Sequence, residues 1–359
     1  MTPTDAPVGT IAATLAFTVG VPASASEPEL AGTLDSIRAS ADAAGGAYEI
    51  IVAVNGPEDP APALVGARAF ADAAALPLVE MDALVQPVAL PLVQPAAVPL
   101  VQIDARDADV AHCDAAHGRT PVVRVLRLAV RSKVAAWNAI RASARAPIVV
   151  FTDADVRLAP DAIRLLLARL AAAPALAAAA GREVAVLAPG DGLVARLAAL
   201  PHRFDFGNVP GRLYALRSAA LGEPIPSHVL HEDAYLSVRL GRARFTRVEG
   251  ALVYLRPPTR WREYLRQRVR NELGKLQLAA EFPDLLRAHG FGVYPWRAFL
   301  RGIRAREYPL VVLSLATRLY ARARARCESR RGFARGWVAL PSTKRWTGGD
   351  PAAAGAQRR

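Results

Sequence analysis

The sequence predicts an α/β protein: a mostly parallel central sheet flanked by helices, followed by a basic helical C-terminal extension. Three observations predict it. Short β-branched apolar runs alternate with amphipathic stretches through the first half, which is how a parallel sheet is written in sequence. One run, Ile148 to Phe151, is apolar throughout and stops abruptly at two carboxylates, Asp153 and Asp155, as a strand buried on both faces does when it reaches a binding edge. The charge is also divided: residues 1–200 carry a net charge of −5 and residues 201–359 a net of +18. With 359 residues and an apolar fraction of 52%, the chain can bury a sizeable core in one large domain plus an appendage.

In order, Ile11 to Val21 reads as the first strand, closed by Pro22. Leu30, Leu34 and Ile37 repeat at helical spacing within Glu27 to Ser40. Tyr48 to Val54 is a second strand ending in the turn signal Asn55-Gly56-Pro57, and a helix follows from Pro62 to Ala75. Val122 to Leu126 is a strand, Lys133 to Ala144 a helix, and Ile148 to Phe151 the central strand. A helix at 160–172, a strand at Val184 to Leu187 and a helix from Gly192 to Leu200 come next. His231-Glu232-Asp233 opens a helix through Leu240 with its acids at the favourable end of the dipole. Phe245 to Val253 is the last strand region, and from Pro257 the chain reads as helical and Arg-rich. This divides it into residues 1–255 and a helical region, 256–359.

Residues 76–118 break the pattern. Leu-Val-Gln recurs at residues 84, 92 and 100, and Pro77, Pro87, Pro91, Pro95 and Pro99 forbid a regular helix. The stretch reads as an extended, low-complexity insertion. Cys113 and Cys327 form neither a disulfide framework nor a metal-ligand spacing, which suits a reducing cytoplasm. Met1 to Thr10 lacks a basic segment ahead of an apolar one, so no signal peptide is expected.

Asp153 and Asp155 stand at i and i+2, so an extended backbone would project both to one side. Two such carboxylates repel unless a cation lies between them. A hard divalent ion, Mg²⁺ or Mn²⁺, that keeps positions open for phosphate oxygens is the natural occupant. The plainer alternative, a pair that caps the next helix, is weakened because Pro160 and Asp161 already serve that start.

Several short segments together resemble one family. Ser132-Lys133-Val134-Ala135-Ala136-Trp137-Asn138 is similar to the Gly-Lys-x-x-Ala-Leu-Asn helix of family 2 glycosyltransferases. Asp153-Ala154-Asp155 is similar to their metal and nucleotide-diphosphate motif, Gly211-Arg212-Leu213-Tyr214 to their acceptor-side segment, Glu232-Asp233 to their Glu-Asp motif, and Gln267-Arg268-Val269-Arg270-Asn271 to their Gln-x-x-Arg-Trp motif. The resemblance spans roughly residues 13–275. It implies a GT-A, Rossmann-like fold and an inverting, nucleotide-sugar-dependent transferase. Asp233 is then the expected base with Glu232 beside it. Pro22, Glu27, Asn55, Lys133, Asp153, Asp155, Gln267 and Arg270 face the donor, Asp155 and Asp153 the metal, and Gly211, Arg212 and Tyr214 the acceptor. The sequence departs from the family at Asn55, where many members carry an aspartate, and at Asn271, in place of the tryptophan tied to polymer synthesis. Transfer of a single sugar is therefore expected.

The chemistry also stands on the residues. Displacing a nucleoside diphosphate requires charge neutralised on the leaving group, and Lys133 and Arg270 add to what a metal supplies. The attacking hydroxyl loses its proton to a carboxylate, and one base with one direct displacement inverts the anomeric centre. Three rival classes fit less well. A haloacid-dehalogenase-like phosphatase expects its Asp-x-Asp near the start of its core. A sugar nucleotidylyltransferase wants a glycine-rich basic loop where Pro22-Ala23-Ser24-Ala25-Ser26 stands. A nucleic-acid binder would need a recognition module, and none is visible.

The tail points to location. Residues 297–345 hold 13 Lys and Arg against Glu307 and Glu328. Pro309 to Ala316 is apolar but too short to span a bilayer, and Arg318, Arg322, Arg324 and Arg326 follow. An apolar patch beside a cationic turn suits an anionic leaflet. The expectation is a cytoplasmic, peripheral enzyme with a glycan or lipid-linked acceptor. The alternative is that Leu310, Val311, Leu313 and Leu315 pack on the catalytic domain.

Overall fold

A computed structural model describes residues 15–56, 62–84, 102–103, 121–205, 207–289, 296–333, 340–344 and 346. Its centre is a ten-stranded sheet in the order β4-β3-β5-β2-β1-β6-β9-β8-β10-β7. The strands are β1 (Phe17–Ser24), β2 (Tyr48–Asn55), β3 (Leu78–Leu84), β4 (Gln102–Ile103), β5 (Val122–Leu128), β6 (Ile148–Thr152), β7 (Val156–Leu158), β8 (Ala178–Ala185), β9 (Leu213–Arg217) and β10 (Phe245–Leu255). Strands β3, β5, β2, β1 and β6 run parallel, as do β8 and β10. β9 lies antiparallel between β6 and β8, and β7 antiparallel on the edge at β10. The mostly parallel sheet flanked by helices is thus the one the sequence predicts.

The sheet is sandwiched between two apolar layers. On one face lie helices α1 (Leu30–Ala44), α2 (Pro62–Ala73) and α4 (Ala162–Ala172), and on the other α3 (Lys133–Ser143) and α6 (Glu232–Leu240). Gly20 lets α3 approach β1 closely, because a Cβ there would collide with Ile140. Strand order reverses at β1, between β2 and β6, so the carboxyl ends of β1 and β6 flank a switch-point crevice, the usual binding edge of such sheets.

Three expectations are corrected, and one strand is added. Strand β1 passes through Pro22 to Ser24; pairing with β6 stops at Gly20, so the missing proline N–H breaks no ladder bond on that flank. Ile11 to Thr14 lie outside the described residues. Residues 76–118 do not form one insertion: Leu78–Leu84 is a full strand on β5, and Gln102–Ile103 pairs with its end. The Leu-Val-Gln repeats and Cys113 are otherwise outside the described residues. The eighth strand occupies Ala178–Ala185, not Val184 to Leu187, because buried alanines fit between β9 and β10 whatever their intrinsic preference. Finally, β7 escapes a periodicity reading because three residues are too few to show a period.

After the sheet come α7 (Trp261–Glu281), α8 (Pro283–His289), the short α9 (Trp296–Gly302) and α10 (Tyr308–Ser329). Helices α7 and α10 pack through Val269, Leu273, Ala321 and Ala325. Helix α7 also holds the site: Gln277 accepts a hydrogen bond from Leu230 N (2.9 Å) and donates one to His228 O (3.0 Å), fixing the loop that leads into α6.

Candidate active site

Strand β6 ends at Thr152, and the chain turns instead of continuing extended. Thr152 Oγ1 donates to Arg212 O (2.8 Å), and Thr33 Oγ1 donates to Ala154 O (2.7 Å). The convergence of Asp153 and Asp155 therefore comes from a braced turn and not from strand alternation. Beneath it, Trp137, Phe151 and Tyr214 stack at 4.7 and 5.5 Å, and Trp137 Nε1 donates to Tyr214 Oη at 2.7 Å. This rigid support fixes where the turn points.

Lys133 joins the two halves of the site. Ser132 caps α3 by accepting from Ala135 N (3.1 Å), and the next residue projects its Nζ to 2.7 Å from Asp153 Oδ1 and 2.6 Å from Glu232 Oε1. Burial opposes the charge on Lys133, but the two carboxylates outweigh it and raise its pKa, so the ammonium is permanently charged. Asp153 is thereby neutralised on one side. Asp155 is not: burial, then the neighbouring Asp153, push its carboxyl up to about 6, against the pull of Arg212 and Lys133. Such a carboxylate calls for a further cation.

The donor set fits a hard divalent ion. Two aspartates share one turn, and no third group of His, Cys, Asp or Glu completes a closed cage among the described residues. That leaves positions for phosphate oxygens and water, as Mg²⁺ or Mn²⁺ requires.

Pro22, Glu27, Lys133, Asp153, Asp155, Gln267 and Arg270 all line one small pocket at the switch point. Arg270, one of these lining residues, also has a buried Nε that has no hydrogen-bond partner. Arg268, two residues before it, turns away to donate to Tyr264 Oη (3.0 Å) and stack on that ring.

Asp233 lies across a larger adjoining cleft of about 860 Å³ that also reaches Lys133, Asp153, Gln267 and Arg270. Its Oδ1 accepts from Ala234 N (2.7 Å) and lies 3.3 Å from His231 Nδ1. Burial works against the charged form, but His231, Lys133 and the Ala234 N–H overcome it and hold the carboxyl well below the usual carboxylate range. Its Oδ2 faces Gly211, where a Cβ would come within 2.8 Å. Only glycine lets the backbone pass so close.

Three residues sit elsewhere than the sequence suggests. Tyr214 is not on the acceptor side: it is buried in the aromatic stack under β6. Arg212 belongs at least as much to the donor pocket, with its guanidinium bound to Glu183 (3.1 Å) and its charge acting on Asp153 and Asp155. The same contact, with His202, holds Glu183 at about 2 despite its burial. Asn55 does not line the pocket. Its Nδ2 donates to Ala23 O (2.6 Å), which ties β2 to β1. Asn138 likewise clamps the loop ahead of α6, exchanging hydrogen bonds with both Ile225 N (3.0 Å) and Ile225 O (2.8 Å).

Sequence reasoning missed Thr343 and Lys344, which line the donor pocket from the far end of the chain. It also undervalued His231, whose Nε2 is buried without a partner while Nδ1 addresses Asp233. The signal for Lys344 was available: the chain has three lysines among its 45 basic residues, and one stands alone in an arginine-rich tail.

Part of the sequence is similar to a known family, and the chain as a whole is similar to several solved structures. Residues 102–208 match the model of Glycosyl transferase family 2, a span that contains Lys133, Asp153 and Asp155. No curated protein matches the sequence. Among solved structures, the chain is similar to a mannosyltransferase from Pyrobaculum calidifontis in complex with GDP-Man and Mn²⁺, at 18% identity and a TM-score of 0.48 over 95% of this chain and 78% of that one. It is similar to glucosyl-3-phosphoglycerate synthase from Mycobacterium tuberculosis in complex with Mn²⁺, UDP and glucosyl-3-phosphoglycerate, at 17% identity and a TM-score of 0.43, over 74% and 79%. It also resembles S. aureus TarS at 13% identity and a TM-score of 0.41, covering 86% of this chain but only 49% of that one. The lysine-braced aspartate pair lies inside the span of this chain that matches the Glycosyl transferase family 2 model.

Proposed function

We propose that the protein moves one sugar from a nucleoside-diphosphate sugar to a hydroxyl acceptor with inversion of the anomeric centre. The observation that carries this reading is Lys133, whose single ammonium bonds both Asp153 and Glu232. The turn suited to a metal and the Glu-Asp pair suited to base chemistry therefore face one cleft. Asp155, with Asp153, would hold a divalent metal, which supplies charge neutralisation at the departing diphosphate. Arg270 and Arg212 add fixed positive charge at the same end. Asp233 is ionised at neutral pH, as a base must be, and its depressed pKa makes it a weak one. Proton transfer therefore accompanies attack instead of preceding it. Glu232 is spent on Lys133 and positions the lysine. The test is product analysis by NMR with nucleotide sugars and Mn²⁺: the reading expects release of the nucleoside diphosphate and an inverted linkage, and a retained linkage overturns it.

An anionic membrane surface belongs to the same reading. Helix α10 packs Leu310, Val311 and Leu313 inward. Its other side leaves Tyr308, Val312, Leu315 and Leu319 exposed, with Val312 at 66% and Leu319 at 67%. These four follow one another at spacings of four, three and four, so they form one stripe, continued by Arg322 and Arg326. The inward packing weighed as the alternative thus accounts for one face only. No helix among the described residues is long and apolar enough to cross a bilayer. The stripe suits a helix lying on the cytoplasmic leaflet, where each basic residue contributes roughly 1 kcal/mol, and a lipid-linked hydroxyl acceptor follows naturally. In vesicle flotation the protein should rise with anionic but not neutral vesicles and lose this at high salt or with the V312E/L319E double substitution. Equal behaviour on both vesicle types leaves a glycan acceptor in solution.

A further inference from the structure

The donor pocket is nearly filled by the protein itself. From the segment 340–344, Leu340, Thr343 and Lys344 line it. Ser342 donates from Oγ (2.5 Å) and N (3.0 Å) to Glu263 Oε2 and accepts from Thr259 N (3.1 Å), which fastens the segment to the start of α7. Thr343 Oγ1 lies 3.3 Å from Asp155 Oδ2. Lys344 reaches between two carboxylates: its Nζ pairs with Glu27 and stands 3.9 Å from Asp155 Oδ2. Trp346 lies against the Arg157 guanidinium at 5.0 Å, and that group is itself bound to Glu29 and Thr33. The space left in the pocket is about 90 Å³, far below the roughly 300 Å³ or more that a small-molecule ligand of ordinary size occupies.

Two consequences follow. The small pocket itself is too small for a nucleotide sugar while this segment stands in place, whereas the adjoining cleft of about 860 Å³ stays open. A divalent ion and the Lys344 ammonium cannot both sit on Asp155 without strong repulsion, since both would serve the same carboxylate in a partly desolvated site. The residue type fits the position. An ammonium is a compact charge on a thin stem and can slip between Glu27 and Asp155, where a planar guanidinium is bulkier. Glu27 is 1% exposed and Lys344 8%, so the pair is a built contact and not a surface coincidence.

We propose that residues 340–344 form a strap over the donor pocket in which Lys344 is the resident cation, holding Glu27 and Asp155 until a divalent metal displaces it and the strap lifts for the donor. Displacement of Lys344 from Asp155 makes metal binding and pocket opening one event. The inference rests on the assignment of Asp155 to the metal but not on sugar transfer.

The test is titration of the full-length protein with Mn²⁺ alone, followed by electron paramagnetic resonance of the free ion. Lys344→Met keeps the stem and removes the competitor, so it should bind Mn²⁺ at least about tenfold more tightly than the wild type. Because it leaves Glu27 buried without its partner, the E27Q/K344M double variant is measured beside it and should show the same gain. Affinities equal to wild type in both variants, or no Mn²⁺ binding by any of the three proteins, would overturn the proposal. No sugar nucleotide is present in this titration, so a failed glycosyl-transfer assay leaves its outcome untouched.

Discussion

Asp233→Asn is expected to lower turnover at saturating acceptor by at least about a hundredfold while donor affinity stays nearly unchanged. The amide keeps the shape of the carboxylate and still accepts from Ala234 N and His231, so α6 and its loop should hold. What it loses is the ability to take a proton. In the proposed reading the donor is held at the small pocket lined by Asp155, Arg212 and Arg270, and Lys133 bonds Asp153 and Glu232 instead of Asp233. Steady-state rates at saturating acceptor, with calorimetry of the donor, separate the two quantities. Near-normal turnover would take the base away from Asp233. Glu232 would be a poor replacement, since it is buried and already committed to the Lys133 ammonium.

How much of this was legible before the structure depended on how local the signal was. The strand β6 and its aspartates, the helix begun by Ser132-Lys133 and the His231-Glu232-Asp233 helix start are all written in a few adjacent residues, and each is found where the sequence places it. Strand β8 was misplaced because its alanines say little on their own; they form a strand only because β9 and β10 flank them. Tyr214 was assigned to the acceptor because its segment resembles the acceptor-side segment of family 2 glycosyltransferases, but in strand β9 alternate residues face opposite sides of the sheet, and Tyr214 falls on the side of the aromatic stack. Arg212 is the residue just before that strand, so a shift of one position decides which pocket it serves. Lys344 could not be assigned from local pattern at all: it meets Asp155 across 189 positions, and only the path of the chain over the pocket brings them together.

The central claim is that the Asp153-Ala154-Asp155 turn holds a divalent metal and, through it, the donor diphosphate. Asp155 is the critical residue because Asp153 has Lys133 as a close counter-ion, whereas Asp155 has only the longer approach of Lys344 (3.9 Å) and its carboxyl is pushed up by burial and then by repulsion from Asp153. Asp155→Ala removes that repulsion, so the fold should survive with its thermal midpoint little changed, and the anchoring oxygen for the metal is lost. Arg212, Arg270 and Lys133 remain to attract a diphosphate, so weak metal-independent binding should persist in the variant. The decisive measurement is calorimetry of GDP and UDP binding to the wild type and to Asp155→Ala, each with and without Mn²⁺. Mn²⁺ should tighten nucleoside-diphosphate binding to the wild type and do nothing for the folded variant. The same Mn²⁺-dependent gain in both proteins would contradict the assignment and place the metal, if one is used, on other residues.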